Sequence, residues 1–196
     1  MKSTTFALTL SLLLMNSTTI ATETDKDPMI EAKIATYRAT IKDFGGALKA
    51  KLVEALKSKG AIAALEVCYA EAPKIATEKS EASGITIGRT SLKPRNADNA
   101  PDHWEVAVLN VFEERKAQGE DPAKLEFYEV LENEGQKQLR YMKAIPTDAS
   151  CLTCHGGEIT PEIQAKLQEL YPNDQAVGFK QGDIRGAFSL KQTLPE

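Results

Sequence analysis

The chain has 196 residues, 42% hydrophobic and 27% charged, with a formal net charge of -4. That length holds one core of domain size, and an apolar share this high excludes a disordered or low-complexity chain. Mild acidity, with Lys and Arg scattered rather than run together, argues against nucleic acid or an anionic membrane surface as partner.

Residues 1–21 read as a leader. Lys2 supplies a charge, residues 6–15 form a short apolar run, and Thr19-Ile20-Ala21 ends on a small residue, the pattern of a signal peptide cleaved near Ala21. About ten apolar residues are too few for a bilayer core that needs roughly 20, which weakens the alternative of an uncleaved anchor. No later stretch is apolar enough to span. Residues 22–196 are therefore expected to form one exported, periplasmic domain without stable membrane insertion. The leader holds one lysine and no acid, so its removal turns -4 into -5.

Apolar Ile30, Ile34, Tyr37, Ile41, Phe44, Leu48, Leu52 and Leu56 recur at spacings of three and four, the stripe of a long amphipathic helix. Gly45-Gly46 is expected to bend it and Gly60 to end it. A second helix over 61–72, rich in alanine and leucine, carries Cys68 and stops at Pro73. From Gly84 the pattern shifts, and Ile85, Ile87 and Thr90 alternate with small or charged residues as in a strand. A polar loop, S-L-K-P-R-N-A-D-N-A, leads to a third helix, expected to start at Pro101 with Asn99 as its cap and to bury Trp104, Val108, Val111 and Phe112. After a turn over 119–122, residues 125–131 and 138–145 read as two strands that pair as a hairpin. An irregular stretch holding C-L-T-C-H-G-G precedes a short helix over 161–170 and a last strand over 184–190. Strands clustered after a helical lead define the α+β class, an antiparallel sheet covered by helices.

The stretch C-L-T-C-H at 151–155 gathers two of the three cysteines and one of the two histidines. In an exported protein C-x-x-C-H is the attachment sequence for haem c: the two thiols add across the vinyl groups, and the adjacent histidine binds iron from one side. Cys151 and Cys154 are thus the expected anchors of one covalent haem and His155 its axial ligand, with Gly156 and Gly157 freeing the backbone beside it. A redox disulfide is the first alternative, but a thioredoxin-like pair opens a helix after a strand, and here a loop is expected. A zinc site is the second, and it lacks a further cysteine pair, since only Cys68 remains.

For the opposite side of the iron the residues alone leave His103, Met29, Met142 and Cys68 open. Each has an ordinary reading: an exposed first-turn polar residue, a mobile N-terminal residue, a core residue of a strand, and a small buried hydrophobe. An unpaired cysteine in an oxidising compartment is exposed to oxidation unless buried or committed, which favours some fixed role for Cys68. Arg89, Lys93 and Arg95 cluster before the Trp104 helix, and Arg89 or Arg95 is expected to hold the haem propionates, the alternative being pairs with Asp98 and Asp102. Trp104, Tyr69, Phe127, Tyr128 and Tyr141 offer aromatic bulk for a pocket wall.

The stretches A-I-A-A-L-E-V-C-Y-A-E-A-P-K-I-A, I-G-R-T-S-L-K-P-R-N-A-D-N-A-P-D-H-W-E, C-L-T-C-H-G and Y-P-N-D-Q-A-V-G-F-K-Q-G-D-I-R-G-A-F-S-L together resemble a bacterial and cyanobacterial family of single-haem c-type proteins, catalogued as a domain of unknown function and found also in longer signalling proteins. The resemblance implies a PAS-like fold and implies that Cys68 is the axial ligand opposite His155. Ala97 departs from it, standing where the family favours proline. A thiolate ligand places negative charge on iron and favours the ferric state, so a low reduction potential is expected. Loss of the thiolate on reduction would open a position for a diatomic gas. The expected function is therefore a redox or gas sensor acting through a redox or signalling partner, with a periplasmic electron carrier as runner-up. A peroxidase comes third, since His103 alone is left to serve as its acid-base group.

Overall fold

The computed structural model describes residues 27–133 and 135–195; the leader expected over residues 1–21 lies outside them. The chain begins with α1 (Pro28–Glu66), capped by Asp27, whose side chain accepts from the Met29 amide at 2.9 Å. Its stripe follows the periodicity as far as Leu48: Ile30, Ile34, Tyr37, Ile41, Phe44 and Leu48 are all buried, each worth roughly 2 kcal/mol in apolar burial, while Leu52 and Leu56 are half-buried. Gly45 packs rather than bends. A β-carbon there would sit 3.1 Å from Phe188 Cζ, and the break comes at Gly60 as expected, where φ of 82° and ψ of -175° kink the chain between the two helical stretches that make up α1.

Pro73 does not stop the second helix. A π turn (Val67–Glu71) joins α1 to α2 (Ala72–Ser83), and the chain then enters β1 (Thr86–Thr90). Helix α3 (His103–Ala117) starts two residues later than expected. Its cap is Asp102, not Asn99, in a reciprocal box with Glu105, and Val111 lies on the exposed side while Val108, Leu109 and Phe112 are buried. The hairpin forms as predicted from β2 (Glu126–Asn133) and β3 (Gln136–Pro146), and the motif lies in α4 (Leu152–His155), a single helical turn. It is followed by α5 (Pro161–Leu170) and β4 (Ile184–Thr193).

The four strands make one antiparallel sheet in the order β1-β4-β3-β2. Strand alternation divides its two faces. Leu139, Tyr141 and Leu190 pack under α1 and α2, whereas Met142, Ala144 and Ala187 pack under α3. A third cluster, Leu65 with Ile163, Leu167 and Tyr171, seats α5 against the far end of α1. This is an α+β, PAS-like arrangement, a helix-covered antiparallel sheet with a long helical lead. Among the described residues no helix is long and apolar enough to cross a membrane.

Candidate functional site

The π turn has a cause in the sequence. Pro73 has no amide hydrogen for the Tyr69 carbonyl, and its ring crowds that carbonyl, so a regular α-helix cannot run through. Instead the Ala72 amide reaches back five residues to the Val67 carbonyl. Cys68 lies inside this widened turn and lines a cavity of about 260 Å³, with Phe44, Tyr171, Arg89, Arg95, Arg185 and His155 among its other walls. Insertions of this kind recur where a helix presents a functional side chain.

The motif reaches the same cavity from the other side. A 3-10 turn (Ala149–Cys151) runs into α4, which places Cys151 and Cys154 three apart on one helical face. The expectation of an irregular loop is thus corrected: the residues from Ala149 to His155 wind into tight helical turns. The turn ends at Gly156, where the backbone becomes extended, and the site favours glycine because a β-carbon there would lie 2.6 Å from the Leu152 carbonyl oxygen. All three thiols are free. Burial raises the Cys154 pKa, and Cys154 also packs on the α5 cluster.

His155 is held by a buried network. Its Nδ1–H donates to the Ala176 carbonyl at 2.9 Å, so Nε2 carries the lone pair. The same carbonyl accepts from Arg95 Nη2 at 3.0 Å, and Arg95 also donates to the Cys154 carbonyl and, through Nε, to Asp174 Oδ2 at 3.0 Å. Two amides of the following loop, Phe179 and Gly178, close on the carbonyls of His155 and Gly156, both at 2.9 Å. Burial, then the charges of Arg185 and Arg95, push the His155 pKa down to about 3, so the imidazole is neutral at ordinary pH.

Arg185 is the residue that sequence reasoning missed. Its Nε lies 3.2 Å from Nδ1 and 3.5 Å from Nε2 of His155, while Nη1 donates to Ser91 Oγ at 3.1 Å. Lys93 and Arg185 both lie over the Phe179 ring, 5.0 and 5.3 Å from its centroid. Burial pushes the Arg185 pKa down to about 10, helped by Arg95 and Arg89. A cation opening an otherwise apolar strand in D-I-R-G-A-F was the signal available. Cys68 feels the same charges in the opposite sense: burial raises its thiol pKa, and Arg89, Arg95 and Arg185 oppose the rise.

The structure therefore brings Cys68, His155, Arg89 and Arg95 to one cavity, with Cys154 beside it. It keeps the other ligand candidates away. Met142 is buried under α3, Met29 is exposed at the start of α1, and His103 is exposed at the start of α3. Nor do the five expected aromatics wall the cavity. Trp104 and Phe127 pack on each other under α3, Tyr141 meets Tyr37 under α1, and Tyr69 and Tyr128 are exposed. The alternative pairing of Arg89 and Arg95 with Asp98 and Asp102 does not form: Arg95 meets Asp174 at 3.0 Å, and Asp102 meets Arg140 at 2.8 Å. Among the described residues no three His, Cys, Asp or Glu side chains stand close enough to hold a metal ion by themselves.

A PAS-like sheet whose helical cover encloses a thiol, an imidazole and three guanidiniums in one cavity defines an α+β ligand-binding domain. Residues 11–193 match the model of the Tll0287-like family, and the chain belongs to that family. Among solved structures it is similar to the cyanobacterial heme-protein Tll0287, with 27% sequence identity and a TM-score of 0.61 over 87% of this chain and 98% of that one. No curated protein matches the chain.

Proposed function

We propose that this chain is a haem-binding, cytochrome-like protein in which Cys151 and Cys154 carry one haem c through thioether bonds, His155 and Cys68 bind its iron from opposite sides, and the site serves as a redox or gas sensor. Residues 1–21 act as a cleaved leader, and residues 22–196 form one domain that works in the periplasm. The observation that carries the reading is the meeting of Cys68, from the π turn, with His155, from the attachment motif, on the walls of one cavity. The family and the solved relative, a haem protein, support it.

The residues suit the group chemically. Two thiols share one helical face, an imidazole keeps Nε2 for a metal, and a thiol lies in the same cavity. Arg89, which lines the cavity, offers paired donors for a propionate, whereas Arg95 is taken up by Asp174 and the Cys154 and Ala176 carbonyls. When bound, the haem supplies one-electron redox chemistry and a metal position able to exchange a ligand.

The chain's own part is to hold and to poise. The Ala176 carbonyl fixes the Nδ1–H tautomer of His155 and so leaves Nε2, which has Arg185 Nε 3.5 Å away, as the nitrogen that would hold a metal. Burial, the larger influence, raises the Cys68 thiol pKa and favours its neutral form, and the three guanidiniums oppose that rise. Protonated sulfur is a poor ligand, and its release would free the π turn, which suits sensing a redox change or a diatomic gas. A redox or signalling partner protein would read that movement.

One observation favours the electron-carrier reading. Tyr69 is 51% exposed and meets Tyr171, a wall of the cavity, edge-on at 5.5 Å between ring centroids, a short aromatic route from site to surface. Electron paramagnetic resonance of the ferric protein beside Cys68→Ala tests the ligand set. Low-spin thiolate-type g values in the parent, lost in the variant, are expected; identical spectra would move the ligand elsewhere. A reversible potential with unchanged ligation in both oxidation states would decide for the carrier.

A further inference from the structure

The three guanidiniums at the cavity are not equivalent. Arg95 is fully engaged by Asp174 and by the Cys154 and Ala176 carbonyls, and its side chain is buried. Arg185 donates only to neutral oxygens, Ser91 Oγ at 3.1 Å and the Lys93 carbonyl at 3.4 Å, and otherwise lies against the His155 ring. Arg89 has no hydrogen-bond acceptor among the described residues, although burial is the main cause that lowers its pKa.

Both unmatched arginines line the 260 Å³ cavity and also an adjoining chamber of about 100 Å³, where Ser91, Asn99 and His155 are further walls. Among the described residues no carboxylate lines the smaller chamber. Asp174 is spent on Arg95 and on the Ala176 amide, which donates to its Oδ1 at 2.8 Å. Cations drawn together away from water repel one another, and each also loses hydration unless an anion faces it. Two guanidiniums without acidic partners, bordering a partly open chamber of this size, are the donor set that a planar carboxylate or a small oxyanion meets with paired hydrogen bonds.

We infer that Arg89 and Arg185 together form a binding site for a carboxylate or small oxyanion in this chamber, and that Arg95 builds its wall rather than binding the ligand. Two sources share that chemistry: a propionate of the bound haem, which rests on the function proposed above, and a free oxyanion from solution, which does not. In the first case the pair anchors the cofactor. In the second the site admits an oxyanion within contact distance of His155, so anion concentration becomes an input to the sensor.

Isothermal titration with inorganic phosphate, on the full chain loaded with haem and on the full-length Cys151→Ser/Cys154→Ser chain that attaches none, separates the sources. The haem-free chain is expected to bind phosphate, about tenfold or more weakly after Arg89→Gln or Arg185→Gln, and unchanged after the exposed Lys57→Gln. If a propionate fills the chamber, phosphate heats vanish on loading and both substitutions shift the propionate bending band in the resonance Raman spectrum. If a free oxyanion is the ligand, the loaded chain binds phosphate with the same losses. Phosphate binding that is absent, or that survives both substitutions, together with an unmoved propionate band, overturns the inference. Arg89→Lys and Arg185→Lys, which keep the charge and lose the fork, replace the Gln variants should those fail to fold. Absence of a Soret band would remove the haem reading and leave the phosphate arm standing.

Discussion

At the scale of single residues, the site depends on which donor meets which acceptor. Arg95 shows this most clearly, since one guanidinium joins Asp174 and the Cys154 and Ala176 carbonyls, and the last of these fixes His155. The sequence marks Arg95 as a cation near the pocket but not as a crosslink, because its acceptors lie some sixty and eighty residues away. Only the folded loop after α5 brings them together. Arg95→Ala leaves the buried Asp174 carboxylate unpaired and is expected to cost about 3 kcal/mol or more in denaturant unfolding. A loss below about 1 kcal/mol, the range of a surface ion pair, would contradict the buried network. Arg185 was harder to foresee. Strand alternation says which face a residue takes, but not that a neighbouring imidazole stands 3.2 Å from its Nε.

At the scale of elements, local chemistry was legible where one residue decides and opaque where two elements do. The stripe of α1 and the hairpin follow from periodicity, because burial on one face needs only the right spacing. The role of Pro73 was half legible. A proline forbids a continuous α-helix, but whether the chain stops or widens depends on what α2 gains by packing Ala72 and Ile75 under α1. It widens, and the extra residue turns Cys68 to the cavity. Pro73→Ala restores the missing donor, so the segment is expected to relax toward α-helix and to rotate the Cys68 side by about 100°. The sequel is a gain in helical circular dichroism with a changed ligand spectrum; an unaltered spectrum would show that the π turn does not aim the sulfur. Gly186 is the other fixed point. Its φ of +156° and a β-carbon position 2.3 Å from the Thr90 carbonyl leave room for glycine alone beside Arg185.

At the scale of the whole molecule, the α+β class was legible because the order of helices and strands is written in hydrophobic period. The strand order β1-β4-β3-β2 was not, since it rests on pairing between β1 and β4 across most of the chain. For the same reason the sequence alone ranks Cys68 among four ligand candidates, while the fold brings Cys68 alone of the four to the cavity that holds His155. A helical lead, a sheet and a motif turn distant in sequence close on one electropositive cavity, and the function proposed here follows from that closure. The most direct test is the intact mass of the purified chain under denaturing conditions, read beside its Soret absorption. The account predicts a mass above the polypeptide by one haem, retained on unfolding and lost when Cys151 and Cys154 are both replaced by serine. The bare polypeptide mass, without a Soret band, would contradict it.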